Sequence, residues 1–111
     1  MRLPNADQAI VDPRKVRDYL LSLEHPLGRY KAHFFTRIGF TREEWQDLQT
    51  QFQSVALQEV AELAERTEYG QKYIVRGTIV GAAARKARVL TAWIVLNGED
   101  VPRFVTAYPE G

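Results

Sequence analysis

The chain has 111 residues, of which 45% are hydrophobic and 26% charged, the balance of one folded domain rather than of a disordered or fibrous chain. It contains no cysteine, which excludes disulfide frameworks, thiol catalysis and thiolate metal sites. The formal net charge is only +1, no apolar run approaches the roughly 18 residues of a membrane span, and MRLPNADQAIVDP has no signal-peptide core, so we expect one soluble, cytoplasmic domain over 1–111.

In chain order, the first expected helix has Asp12 as N-cap and Pro13 at its first position, with Val16, Tyr19, Leu20 and Leu23 at helical spacing. The stretch EHPLG breaks it. A short helix then runs from about Arg29 to Ile38, and Gly39 closes it. At 100° per residue, Tyr30, Phe34, Phe35 and Ile38 make its apolar stripe, and Lys31 falls in the middle of that stripe. His33 and Arg37 fall on the far side. Thr41, with Glu44 three residues on, forms a capping box for a third helix. Its stripe of Trp45, Leu48, Phe52, Val55, Val60 and Leu63 extends to about Arg66.

After Gly70 the period changes. KYIVRGTIV, ARVLTAWIVL and RFVTAY are rich in β-branched and aromatic residues, and GAAARK and NGEDVP join them. Asn97-Gly98 is a strong hairpin signal. The expected fold class is therefore α+β: about three N-terminal helices, then an antiparallel β-meander of three strands, or four, with the helices on one face.

Two faces follow from strand alternation. If Tyr73, Val75, Ile79, Leu90, Ala92, Ile94, Leu96, Val105 and Ala107 are covered, the open face carries Arg76, Thr78, Thr91, Trp93, Thr106 and Tyr108. A one-residue slip in register would exchange the faces.

Charge is segregated along the chain. Residues 14–42 carry +5, residues 43–69 carry −6, and residues 70–111 carry +3. Such a chain can meet an anion with its basic parts, or its segments can neutralise each other in the fold.

The sequence has no phosphate loop, no Cys/His metal cluster and no G-x-S-x-G, and half of its acids lie in and just after the expected third helix, so we expect no cofactor and no metal. What remains is a site of Lys, Arg, His and hydroxyl groups, the types that metal-free RNA cleavage requires. A base takes the 2′-hydroxyl proton, cations stabilise the transition state, and an acid protonates the leaving oxygen. Candidate catalytic residues are Lys31, Arg76, Thr106 and Tyr108; candidate substrate-binding residues are His33, Thr91 and Trp93, with Trp93 as a platform for a base. Structural readings stand beside these. Lys31 can snorkel, or donate to hydroxyls such as Thr106 or Tyr108. His33 reads equally as an exposed polar-face residue, and Thr91, Thr106 and Trp93 as ordinary strand residues.

Leu3-Pro4-Asn5, Lys15 with Tyr19-Leu20-Leu21, Lys31-Ala32 with Phe34-Phe35, Gly39-Phe40, Trp93 and Thr106-Ala107-Tyr108-Pro109 together resemble a family of small bacterial proteins described as a domain of unknown function. The resemblance spans nearly the whole chain and implies no activity. One departure is Gly81-Ala82-Ala83-Ala84-Arg85, where the resemblance implies a glycine-containing turn. More loosely, the order of elements is similar to the barnase, colicin and RelE-like ribonuclease toxins, which place helices before a small sheet and cleave RNA without a metal. We therefore expect a toxin-type protein that cleaves or binds RNA, against a non-catalytic interaction module of antitoxin, immunity or accessory type. The expected partners are RNA or a cognate protein, with a homodimer open and no membrane.

Overall fold

The computed structural model describes residues 1–26 and 28–110. Its α-helices are α1 (Pro13–Lys15), α2 (Arg29–Arg37) and α3 (Trp45–Gln58). Four strands, β1 (Ala61–Arg66), β2 (Gly70–Val80), β3 (Lys86–Leu96) and β4 (Arg103–Pro109), form one antiparallel sheet in the order β1-β2-β3-β4. The architecture is α+β, as expected, and the meander has four strands.

Asp12 caps α1 as its chemistry predicts, its side chain accepting from Arg14 N at 2.9 Å, with Pro13 at the first position. The helix continues in wider π-helical form over Val16–Leu20, with Val16 and Leu20 fully buried. Leu27, within the expected break, lies outside the described residues. In α2, Ala32 and Phe35 are fully buried, whereas Tyr30 is 71% exposed. The stripe is thus rotated from the one expected. Tyr30 stands in the first turn and packs beneath the Arg29 guanidinium, 5.1 Å from its ring centroid.

The third helix stops short of the expected end. The Thr41 hydroxyl accepts from Glu44 N at 3.2 Å in the turn before the helix, but the N-cap is Glu44 rather than Thr41, and the helix ends at Gln58, where Glu59 is extended. Ala61–Arg66 is a strand despite its helix-favouring composition. Pairing with β2 and burial of Ala61 against Val75 outweigh the small propensity differences. Val60 and Leu63, expected on the buried stripe, are accordingly 62% and 65% exposed.

The covered face of the sheet also differs. On β2 it carries Tyr73, Val75 and Ile79, as expected, but on β3 it carries Val89, Thr91 and Trp93 rather than Leu90, Ala92 and Ile94. Both rows of β3 are apolar, so alternation alone could not choose between them. The row with the large indole fills the space under the helices. Phe104 packs edge-on to Trp93 at 5.4 Å and stacks on Phe52 of α3 at 4.8 Å; Phe35 of α2 meets Phe52 at 6.0 Å. Thr91 is tolerated there because its polar atoms are satisfied. It donates to Val75 O at 2.6 Å and accepts from Trp93 Nε1 at 2.8 Å.

The N-terminal segment bridges both ends of the sheet, Arg2 beside Val60 and Ile10 beside Arg103. Leu3 is buried, and Asn5, at φ 51°, donates from Nδ2 to Asp100 O at 2.7 Å. At the other side, α2 ends against the β2–β3 turn. Gly39 has φ 103°, and a Cβ there would collide with Ala82; Arg85 Nη1 donates to Arg37 O at 2.8 Å. Within that turn Ala83 and Ala84 adopt φ 55° and 57°, a conformation that costs an L-residue about 1–2 kcal/mol. Glycine relieves this strain, offset by its greater freedom when unfolded. Ala84→Gly should therefore stabilise the fold by up to about 1 kcal/mol, read from the midpoint of a urea unfolding curve.

Candidate functional site

β4 is an edge strand, and α2 packs beside it. Opposite Ala92 and Trp93 the ladder shifts. Phe104 pairs with Trp93 and Thr106 with Ala92, leaving Val105 as an extra residue. This β-bulge reverses the alternation of the strand. Phe104 and Ala107 both point into the core, while Thr106 and Tyr108 share the outer side. Lys15 holds the bulge from the neighbouring turn, its Nζ donating to Val105 O at 3.2 Å.

Lys31 reaches this edge from α2. Its Nζ donates to Thr106 Oγ1 at 2.9 Å and makes a longer contact, 3.5 Å, with the Tyr19 hydroxyl. The ammonium lies 3.9 Å from the Tyr108 ring centroid and 5.3 Å from that of Tyr19, so it faces two aromatic rings. Gly28 lets the start of α2 approach so closely, since a Cβ there would overlap the Tyr19 carbonyl. Lys31 is partly buried, and desolvation pushes its pKa below the ordinary lysine value; Tyr108 pulls weakly the other way.

These groups line one open cleft of about 590 Å³, together with Asp12, Arg14 and Lys15. Three cations therefore face it against one carboxylate. Asp12 is a poor proton acceptor there. Its hydrogen bonds with Arg14, side chain first and then backbone, hold its pKa at about 2.

Three of the expected catalytic residues, Lys31, Thr106 and Tyr108, come together in the cleft. Arg76 does not line it. It stands on the outer sheet face in the cross-strand row Arg76–Leu90–Tyr108, two strands or about 10 Å from Tyr108. There it is ion-paired to Glu62 and, at 2.6 Å, to Glu110. His33 is exposed and also outside the cleft. Thr91 and Trp93, expected on the open face, are fully buried and hydrogen-bonded to each other, so the indole presents no ring face to a base.

Sequence reasoning missed Asp12, Arg14, Lys15 and Tyr19 as cleft residues. DPRK was legible only as a helix start with two basic residues, and Tyr19 only as a member of an apolar stripe. Their convergence on β4 is a long-range contact with no local signature. Among the described residues no group of three or more His, Asp or Glu could hold a metal ion, and no helix is long and apolar enough to cross a membrane.

Residues 2–111 match the family described as "Domain of unknown function (DUF6883)". Nothing matches among curated proteins. Among solved structures, a chain of a contact-dependent growth inhibition toxin–immunity protein complex from Klebsiella pneumoniae 342 is similar in fold, with a TM-score of 0.69. The two are 18% identical, and the similarity covers 91% of this chain and 99% of that one.

The Asp12–Arg14 pairing has a direct spectroscopic consequence. The Asp12 carboxyl should titrate near 2 when followed by carbon NMR, and Arg14→Ala should return it toward its ordinary value of 3.8. Because the folded-state pKa is the depressed one, the pairing favours the fold above the ordinary carboxylate pKa, and this contribution disappears as pH falls through about 2.

Proposed function

The chain belongs to the DUF6883 family, whose description names no activity, and from its cleft we propose that it is a metal-free RNA-cleaving domain of toxin type. The observation that carries this reading is the Lys31 amine held against Thr106 Oγ1 and the Tyr108 ring, in an open cleft with a basic rim. The solved neighbour, taken from a toxin–immunity complex, supports a role in such a system.

In this reading the neutral form of Lys31, favoured by desolvation, takes the proton of a substrate 2′-hydroxyl. The 2′-oxygen attacks the adjacent phosphorus in line, and the bond from phosphorus to the 5′-oxygen breaks. The ammonium formed at Lys31 then lies beside the negative charge that develops on the non-bridging oxygens. Thr106 orients Lys31, and its hydroxyl hydrogen-bonds to a non-bridging oxygen while keeping its proton. The Tyr108 hydroxyl protonates the departing 5′-oxygen. The products are a 2′,3′-cyclic phosphate and a 5′-hydroxyl end, and the proton lost at Lys31 restores the tyrosine through water.

A second reading, a non-catalytic partner of immunity or antitoxin type, is favoured by the acidic segment 43–69, where Leu57, Val60 and Leu63 are exposed. One assay separates the two. Purified protein incubated with total RNA in EDTA should cleave it, with a rate that rises with pH as Lys31 loses its proton. Lys31→Ala should lower the rate at least ~100-fold, the lower range for losing a positioned proton-transfer group. Absence of cleavage by folded wild type, or full activity in the variant, sets the ribonuclease reading aside.

A further inference from the structure

A cleft that works on a polyanion needs a fixed cation beside the reacting group, and Arg76 is bound elsewhere by two carboxylates. The start of α1 supplies a replacement. Asp12 is held in place as N-cap, and the same carboxylate grips the Arg14 guanidinium. Nε lies 3.2 Å from both carboxylate oxygens, and Nη2 lies 2.7 Å from Oδ2. An unrestrained exposed arginine samples many rotamers, but this one is held by a fork, and Pro13 stiffens the backbone beneath it. Among the described residues Nη1 has no protein partner, which leaves two N–H donors for a ligand. The guanidinium is 80% exposed yet lines the same cleft as Lys31, Thr106 and Tyr108. Since Asp12 stays ionised down to about pH 2, the clamp is set at any working pH.

We infer that Arg14 is a phosphate-contact residue of the cleft, binding a backbone phosphate next to the scissile one, so that the substrate is an unpaired RNA stretch with at least two phosphodiesters. This rests on the ribonuclease reading and names the substrate class of that site. Unpaired RNA suits the cleft because the aromatic residues Tyr19 and Tyr108 line it, Tyr108 being half exposed, and only splayed-out bases can reach such rings. Lys15 has a different part. Its ammonium is engaged with the Val105 carbonyl, so it positions the bulge that aims Thr106.

The test uses the full chain and a single-stranded RNA 12-mer carrying 2′-O-methyl groups throughout, which binds without being cleaved. Fluorescence anisotropy across a salt series compares wild type with Arg14→Gln, and steady-state cleavage of the unmodified 12-mer is measured in parallel. Arg14→Gln should weaken binding about tenfold and raise KM similarly, and it should make the slope of log K against log salt shallower by ~0.7, the value for one lost phosphate contact on a single strand. Arg14 is exposed and Asp12 keeps its cap on the residue-14 backbone N–H, so circular dichroism should match wild type and confirm that the variant folds, with the melting curve shifted only by the lost side-chain pairing. If wild type cleaves but Arg14→Gln keeps both its slope and its KM, the Arg14 assignment falls and the ribonuclease reading stands. Equal affinity for a blunt RNA duplex of the same length overturns the unpaired-substrate part. If wild type neither binds nor cleaves the 12-mer, the reading and the inference fall together.

Discussion

Everything in this fold depends on which side of β3 faces the helices, and the Trp93 indole decides it. Its burial brings Phe104 of β4 against it, Phe104 stacks on Phe52 of α3, and Phe52 meets Phe35 of α2. One chain of aromatic contacts thus ties the sheet to both longer helices. The indole N–H would be a liability in such a place, and Thr91 removes it by accepting its hydrogen bond while donating its own to the β2 backbone. A residue pair that could pass for surface chemistry is instead the polar fastening of the core.

The cleft is a consequence of that packing. With Phe104 committed inward, regular alternation would also turn Thr106 inward. The extra residue at Val105 breaks the alternation, so that Ala107 fills the core and Thr106 and Tyr108 emerge together at the sheet edge. Phe35 and Ala32 fix the rotation of α2 against the core, and Lys31, next along the helix, projects toward that edge. A lysine in an apolar stripe is awkward in the interior. At the rim of an edge strand it keeps aromatic faces around its stem and charge, and hydroxyls for its protons.

The segregated charge of the chain is only partly neutralised by folding. On the outer sheet face Arg76 and Arg88 share Glu110, and Arg76 also meets Glu62. The basic segment of residues 14–42 instead leaves Arg14, Lys15 and Lys31 around a single cleft, with Asp12 absorbed in orienting one of them. Segregation along the sequence thus becomes a basic cleft in space, at the opposite edge of the sheet from the acidic β1.

By itself the sequence determined the local features, because their causes are local. These include the Asp12 cap, the Pro13 start, the limits of α2, the glycine turn at Asn97-Gly98, the α+β class and the oddity of Lys31. Residue type, the helical stripe and strand alternation were enough to place Lys31, Thr106 and Tyr108 among the candidates. Tertiary structure alone decided the rest. Ala61–Arg66 became a strand because pairing with β2 outweighs its weak helical preference. The two rows of β3 are alike in hydrophobicity, so only the volume needed beneath α3 could select the Trp93 row. The bulge at Val105 leaves no trace in composition, yet it sets the direction of every side chain after it on β4. Asp12, Arg14, Lys15 and Tyr19 reach the cleft through contacts some 90 residues apart in the chain, as between Lys15 and Val105, and periodicity carries no information over that distance.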